Sequence, residues 1–360
     1  MIPFKNYMFD KLKNPFGVFK KNVGIDLGTA NFLVYLSGRG IVVNEPCVVA
    51  INNKTGKVVA VGSEAKNMLG RTPRHISVVR PLVGGVISDF EMAQELITQF
   101  LKKLSSSSMF NFYQNAVIGV PSDLTEVERK SVEDAVLGAG VSKAYVIESA
   151  LAAALGARLP VGEPVANMII DIGGGTTEVA IISMGGAVTV KSIKVGGDKF
   201  NEDIIRFVRD EFHLAIGEPT AEALKIEIGT AIPIGEKLEK FVQGRDLATG
   251  LPKEVILKDS HIRSAISKSI RVITEGVKEV IELSPPELVG DLLKRGVHMC
   301  GGGSLLRGVD DLIAKEVATS VTVVDDPLTC VTRGAGIAVE NIEMYDYILN
   351  SPLKPREIKL

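Results

Sequence analysis

Short apolar runs alternate along this chain with glycine-rich polar breaks, and two of the transitions share one grammar. Val23-Gly24-Ile25-Asp26-Leu27-Gly28-Thr29-Ala30-Asn31 and Met168-Ile169-Ile170-Asp171-Ile172-Gly173-Gly174-Gly175-Thr176-Thr177 each pass from apolar residues through a carboxylate into glycines and small hydroxyl residues. Such a segment predicts a buried strand with Asp at its polar end, then a turn tight enough for backbone N–H groups to converge on an anion. Two related halves clamping a phosphorylated ligand are expected.

In the first half, Phe32 to Leu36 and Ile41 to Val43 flank Gly38-Arg39-Gly40, a hairpin signal. A second strand pair flanks Asn52 to Gly56, and the Gly- and Pro-punctuated stretch from Val61 to Phe90 suits a small excursion domain. A helix is expected over 91–104, then a polar linker at Ser105 to Ser108. Met109, Phe110 and Phe112 fall in a loop before the strand Ala116 to Val120 and mark either a contact surface or a segment folded back on the core. Pro121 to Gly140 reads as a helix capped by Ser122 or Thr125, with acids Asp123, Glu126 and Glu128 in its first turns and glycine stops at Gly138 and Gly140. The strand Ala144 to Ile147 ends at Glu148, before an alanine-rich helix from Ser149 to Gly156. A carboxylate there sits where a sheet forms its ligand crevice, in a chemical or a capping role.

The second half repeats the plan. A strand from Thr177 to Ser183 meets Gly185-Gly186, Val188 to Val195 returns, and Gly196-Gly197-Asp198 leads into a helix from Phe200 to Phe212. The repetition supports internal duplication. A second excursion over 218–260 holds a helix from Thr220 to Ile228 and a polar strand pair around Gly244 and Gly250, with a helix from His261 toward Leu283 beyond it. Val297 to Cys300 enters Gly301-Gly302-Gly303-Ser304, a third strand-to-glycine transition; Val321 to Val324 is the last expected strand, and a loose tail follows Ser351.

Composition narrows the classes. At 360 residues and 46% hydrophobic content the chain is long enough for two domains, and a net charge of -2 gives no reason to expect nucleic acid. Cys47, Cys300 and Cys330 lack CxxC spacing, which argues against a zinc site or disulfide framework and for a reducing, cytosolic compartment. No apolar run approaches bilayer-spanning length. The first 21 residues carry five lysines against the single acid Asp10, interspersed with Met8, Phe9, Leu12 and Phe16. A short helix from Tyr7 to Lys13 would lie on a membrane surface with its lysines at the head groups; a frayed tail is the alternative.

The glycines permit close approach of N–H groups to phosphoryl oxygens. Asp26 and Asp171 would repel polyphosphate, so Mg²⁺ with retained waters is expected between carboxylates and anion. No Gly-x-x-x-x-Gly-Lys-Ser/Thr loop and no Gly-x-Gly-x-x-Gly spacing competes.

With these motifs in place the chain resembles the MreB family of bacterial actin homologues, within the actin, Hsp70 and sugar-kinase superfamily. The match runs through Gly24 to Asn31, GRTP at 70–73, RPLVGGVISDFE at 80–91, IGVP at 118–121 and DIGGGTTEVA at 171–180. It continues through 196–205, 216–231, 244–252, GGGSLLRG at 301–308 and DDPLT at 325–329. The resemblance implies an α/β, actin-like duplicated ATPase fold of two large domains, each with a central sheet and a smaller inserted subdomain. The expected division is an N-terminal segment 1–21, domain I at 22–158 with a small subdomain near 50–90, domain II at 159–345 with one near 200–260, and a tail at 346–360.

It also implies ATP or ADP with Mg²⁺, slow hydrolysis, and paired protofilaments on the inner face of the cell membrane that organise cell-wall elongation, with the membrane proteins RodZ and MreC as partners. On this chain Gly28, Thr29, Ala30 and Asn31 would form the first phosphate loop and Gly173, Gly174, Gly175 and Thr176 the second, with Gly197 beside it. Gly302, Gly303, Ser304 and Leu305 would approach from the third turn, and Glu222, Ala223, Leu224 and Lys225 would border the adenosine. Asp26 and Asp171 would organise Mg²⁺ through water, Glu148 would activate the hydrolytic water, and Thr176 would couple phosphate to its loop. Two departures stand out. Relatives usually continue Glu-Pro-Met where this chain has Glu148-Ser149-Ala150, and Asn31-Phe32 replaces the usual Asn-Thr. A sugar kinase would need an acceptor site and a base near the cleft, and an Hsp70-like chaperone a further substrate domain. A paralogue with another filament function is the nearest alternative.

Overall fold

A computed structural model of the protein describes residues 20–105 and 112–349. The expected amphipathic segment lies almost wholly outside these residues, as do Met109, Phe110, Asn111 and the tail beyond Leu349. The first half contains β1 (Lys20–Leu27), β2 (Asn31–Leu36), β3 (Gly40–Pro46), β4 (Val49–Asn52), β5 (Val58–Val61), α1 (Ser63–Asn67), β6 (Ile76–Val79), β7 (Leu82–Val83), β8 (Val86–Ile87), α2 (Phe90–Ser105), β9 (Phe112–Val120), α3 (Glu126–Gly138), β10 (Val141–Glu148) and α4 (Ser149–Gly156). The second contains β11 (Asn167–Ile172), β12 (Thr177–Ser183), β13 (Gly186–Ile193), α5 (Gly197–Phe212), β14 (Leu214–Ala215), α6 (Glu218–Ile228), β15 (Glu239–Asp246), β16 (Pro252–Lys258), α7 (Asp259–Glu282), α8 (Pro286–Arg295), β17 (Val297–Cys300), a 3-10 turn at Gly302–Leu305, α9 (Val309–Val317), β18 (Val321–Val323), α10 (Cys330–Glu340) and α11 (Ile342–Leu349).

Duplication is visible in the sheets. The first has strand order β10-β9-β1-β2-β3 and the second β18-β17-β11-β12-β13. In each, a three-strand antiparallel meander is extended by two parallel strands on the side of its first strand. Asp26 and Asp171 occupy the same place in the two plans, near the end of that first strand. Three smaller sheets, β5-β4-β6, β7-β8 and β14-β15-β16, lie within the two expected excursions.

Both faces of each large sheet are covered, which explains the nearly continuous apolar runs. Along β9, Ala116 and Ile118 enter a core with α2 and α3, whereas Val117 enters a different one. Along β11, Met168, Ile170 and Ile172 face α5, α6 and α7, whereas Ile169 joins Val117. Phe100 of α2 stacks on Phe32 at 5.3 Å between ring centroids, and both rings are buried, so Phe32 is a core anchor. The shared core between the sheets is built on α4 and α10 and contains Ile147, Ala180, Ile348 and Leu349.

Several local expectations change. Phe112 opens β9 instead of lying in a loop. Thr125 caps α3 with a capping box to Glu128, and Ser122 is drawn elsewhere. Helices α8 to α11 were not legible as helices, and α11 carries regular structure through 346–349, where a tail was expected. Helix α10 contains Gly334 and Gly336, and both glycines are packing sites. A Cβ on Gly334 would lie 1.8 Å from the Ala152 carbonyl oxygen, and one on Gly156 1.9 Å from that of Cys330, so α4 and α10 touch backbone to backbone. Though late in the chain, α10 also packs on the first sheet, where a Cβ on Gly24 would lie 2.5 Å from the Gly336 nitrogen.

Gly334→Ala is therefore expected to destabilise the protein by about 1–3 kcal/mol through overpacking. Gly290→Ala in α8, where nothing lies near the added carbon, is expected to stabilise it by about 1 kcal/mol through helix propensity. Urea denaturation of the two variants checks both signs.

Candidate nucleotide site

The three glycine transitions converge on one cleft of about 440 Å³. Its floor is made where the first and second turns meet. A Cβ on Gly174 would lie 2.5 Å from the Ala30 Cβ, and one on Gly175 2.6 Å from the Thr29 Oγ1. Only glycine allows this approach. The Thr29 hydroxyl accepts a hydrogen bond from the Gly85 N–H at 3.0 Å. The second turn is closed by Gly173 N–H on the Thr176 carbonyl, and α5 is tied to it by Gly197 and Asp198 N–H groups on the carbonyls of Gly173 and Gly174. Gly301, at φ +78, brings the third turn against Asp171: its Cβ would fall 2.4 Å from the carboxylate.

Most of the expected residues line the cleft: Asp26, Gly28 to Asn31, Asp171, Gly173 to Thr176, Gly197, Glu222, Lys225, Gly302, Gly303 and Leu305. Three do not. A helix presents one face, and in α6 that face is Glu222, Lys225, Ile226 and Gly229 just beyond its end, so Ala223 and Leu224 between them turn away. Leu224 is fully buried in the second core, and Ala223 borders a shallow groove with Pro219 and Phe241. Ser304 is buried, and its hydroxyl donates to the Gly301 carbonyl at 2.7 Å, bracing the third turn from behind. On the lining face, Glu222 accepts from Asn201 Nδ2 at 2.6 Å and from Lys225 Nζ at 2.7 Å, while Lys225 also reaches the Gly197 carbonyl.

The base of the cleft is acidic. Burial pushes the Asp26 carboxyl up to about 7, with Asp171 adding repulsion. Burial likewise pushes Asp171 up to about 7, with Glu178 adding to it and the Cys300 thiol opposing it. Glu148 is not itself part of the lining, which includes its chain neighbour Ser149. It is the N-cap of α4 by position but makes no capping hydrogen bond, and its Oε2 is buried without a partner. Burial lifts its carboxyl to about 6, Arg129 opposing and Glu178 reinforcing the shift.

Residues missed in the sequence include Glu178, Asp198, Arg307 and Leu328, all on the cleft wall, and Arg80, which spans the halves through ion pairs with Asp198 and Glu218. Glu178 left a signal: it is the one acid inside the apolar strand Thr177–Ser183.

Polyphosphate and a hard cation fit this donor set. The turns offer backbone N–H groups in a glycine cradle, and the buried acids offer only oxygen. Among the described residues no group of three or more His, Cys, Asp or Glu could hold a metal alone, so a cation between Asp26 and Asp171 would complete its shell with water and phosphate.

A family profile described as MreB/Mbl protein matches residues 20–347. The chain belongs to the MreB/Mbl family. It is 45% identical over 338 residues to the cell shape-determining protein MreB of Escherichia coli strain K12, covering 93% of this chain and 97% of the relative. It is 42% identical over 326 residues to the cell shape-determining protein Mbl of Bacillus subtilis strain 168, covering 91% and 98%. The crystal structure of MreB5 of Spiroplasma citri bound to ADP superposes with a TM-score of 0.86 at 38% identity, covering 92% of this chain and 99% of that one. The fold is accordingly the actin-like duplicated architecture.

The raised carboxyls carry a pH signature. Folded Asp26 and Asp171 keep their protons up to about pH 7, whereas an unfolded aspartate releases its proton near pH 4. The unfolded chain therefore binds fewer protons between these values, and ligand-free stability falls as pH rises from about 4 to about 7 and levels off above. Asp26→Asn removes part of this penalty. In urea titrations without nucleotide it is expected to exceed wild type by about 1–3 kcal/mol near pH 8, the gap closing toward pH 4.

Proposed function

We propose that this protein is an ATP-binding, filament-forming member of the bacterial cytoskeleton that determines cell shape, and that it hydrolyses ATP slowly. The observation that carries the reading is the meeting of the first and second glycine turns beside two buried aspartates, in a chain whose relatives are cell shape-determining proteins. The solved MreB5 structures bound to ADP and to AMPPNP support the nucleotide as ligand.

In this reading backbone N–H groups of the first and second turns bind the phosphates, and the third turn with Glu222 and Lys225 encloses the nucleoside. Asp26 and Asp171 would hold Mg²⁺ through water, which neutralises phosphate charge when bound. Glu148 Oε2 accepts a proton from the attacking water, a task suited to a carboxyl raised toward neutrality. Thr176 joins the second turn to the phosphates. We further propose filaments paired on the inner face of the cell membrane, with RodZ and MreC as partners. Among the described residues no helix is long and apolar enough to cross a membrane. Attachment is assigned to the basic, Phe-containing segment before β1 and to the Met109 to Phe112 stretch, on sequence grounds.

Glu148→Ala is expected to lower phosphate release about 10²-fold while leaving binding of a fluorescent ATP analogue unchanged; equal release by both proteins would remove Glu148 from this role. With ATP and anionic liposomes, electron microscopy is expected to show lipid-bound filaments. Deleting residues 1–19, which leaves β1 whole, is expected to reduce liposome pelleting, and adding Phe110→Ser to reduce it further, with filaments persisting. Protein that stays monomeric across nucleotide and concentration would overturn the cytoskeletal reading.

A further inference from the structure

Two of the three cysteines lie side by side and have no part in the chemistry described so far. Cys300 closes β17 and Cys330 opens α10, and both belong to the core shared between the sheets. They are free thiols, 0% and 1% exposed. The Cys300 sulfur is within hydrogen-bonding reach of the Cys330 sulfur and of the carboxylate of Asp171, its register partner on β11. Cys330 Sγ also accepts from Arg333 Nη2 at 3.1 Å and donates to the Asp326 carbonyl at 3.7 Å. Backbone holds the two segments together on either side: Gly301 N–H donates to the Pro327 carbonyl and Val324 N–H to that of Met299, each at 2.9 Å. Cys47, the third cysteine, lies in the core of the first half.

Two sulfurs in contact are placed for a disulfide, provided that one of them reacts first with an oxidant. Three features select Cys330: a guanidinium against its sulfur, a place at the N-terminus of a helix, and a neighbouring thiol able to donate to it. The Cys300 thiol and the Arg333 guanidinium hold the Cys330 thiol below its usual value, against the effect of its burial. A small oxidant has a short way in, because Gly301 and Val331, the next residue after each cysteine, line the nucleotide cleft.

We propose that Cys300 and Cys330 form a hydroperoxide-responsive dithiol whose disulfide ties the third glycine turn to α10 and weakens nucleotide binding. The effect on binding rests on the nucleotide reading above. In the first step the Cys330 sulfur attacks one peroxide oxygen and the O–O bond breaks; the departing hydroxide takes the proton given up by the Cys330 thiol and leaves as water. Cys330 is then a sulfenic acid, oxidised by the two electrons that the peroxide has gained. The Cys300 sulfur attacks the Cys330 sulfur, the S–O bond breaks, and hydroxide leaves as a second water with the Cys300 proton. Two thiols and one hydrogen peroxide become one disulfide and two waters, and a dithiol reductant reverses the change by exchange. Closing the bond removes the thiol that serves Asp171 and draws the start of the third turn toward α10. A reducing compartment keeps the pair open, so the bond forms only under peroxide.

The test treats the full chain with hydrogen peroxide, blocks the remaining thiols with iodoacetamide and identifies disulfide-linked peptides by mass spectrometry, with binding of a fluorescent ATP analogue measured before and after. A Cys300–Cys330 peptide is expected, with Cys47 alkylated. Analogue affinity is expected to fall about tenfold, as for the loss of one hydrogen bond to a charged group, and to return with dithiothreitol. By reciprocity, saturating analogue is expected to slow disulfide formation. Cys330→Ser is expected to bind the analogue as reduced wild type does and to be indifferent to peroxide, whereas Cys47→Ser responds as wild type does. Three thiols that all survive peroxide, a disulfide through Cys47 or to a second chain, or a Cys300–Cys330 bond that leaves binding unchanged would overturn the proposal. If Cys330→Ser fails to fold, the linked peptide and its reversal by dithiothreitol in wild type decide. Reduced wild type that binds no analogue would instead refute the nucleotide reading, a result distinct from binding that the disulfide leaves unaltered.

Discussion

The two halves can come together only because Gly174 and Gly175 carry no side chain. Their contacts with Ala30 and Thr29 bring the two Asp-bearing turns into van der Waals contact, and the rest of the site takes its position from that meeting. The start of α5 is tied to the second turn by two backbone hydrogen bonds, and α6 then presents Glu222 and Lys225 over the same opening. The third turn is pinned from the other side, where Gly301 and Gly303 leave room for Asp171 and Ile172. Each approach is made at a glycine, so the turns present backbone N–H groups and carbonyls whose places are set by strand ends.

That geometry gathers charge where a folded protein resists it. Asp26, Glu148, Asp171 and Glu178 are all shifted upward chiefly by burial, and two of them keep an oxygen without a hydrogen-bond partner. Local conflict of this sort concentrates at working sites, where the missing partner is the ligand. The ion pairs that span the cleft, Arg80 with Asp198 and Glu218 and Lys194 with Asp123, are partly exposed and contribute modestly. They favour the closed arrangement without locking it.

Much of this was legible in the sequence because the decisive features are local. An apolar run, an aspartate and glycines within ten residues specify a strand end and a turn, and the repeat of that pattern specified the duplicated sheets. The capping box at Thr125 and the hairpins followed equally local rules. What escaped depends on contacts far along the chain. Helix α10 carries two glycines whose place is explained only by its packing on α4 and the first sheet. Ser122 looks like a cap until Glu178 claims it from another strand. Ala223 and Leu224 were grouped with their neighbours because a run of matched residues hides which face of α6 points inward; helical periodicity would have separated them.

The layer formed by α4 and α10 gives the molecule a mechanical asymmetry. At that end the sheets share a continuous apolar core with helices in backbone contact, and separating them would strip Val117, Ile147, Ile169 and Ala180 of their surroundings at once. At the mouth the halves meet through a few water-accessible ion pairs. Stiffness at one end and compliance at the other make a lever with its fulcrum beneath the glycine turns. A displacement where phosphate is held would be resisted at the α4 and α10 layer and taken up at the mouth.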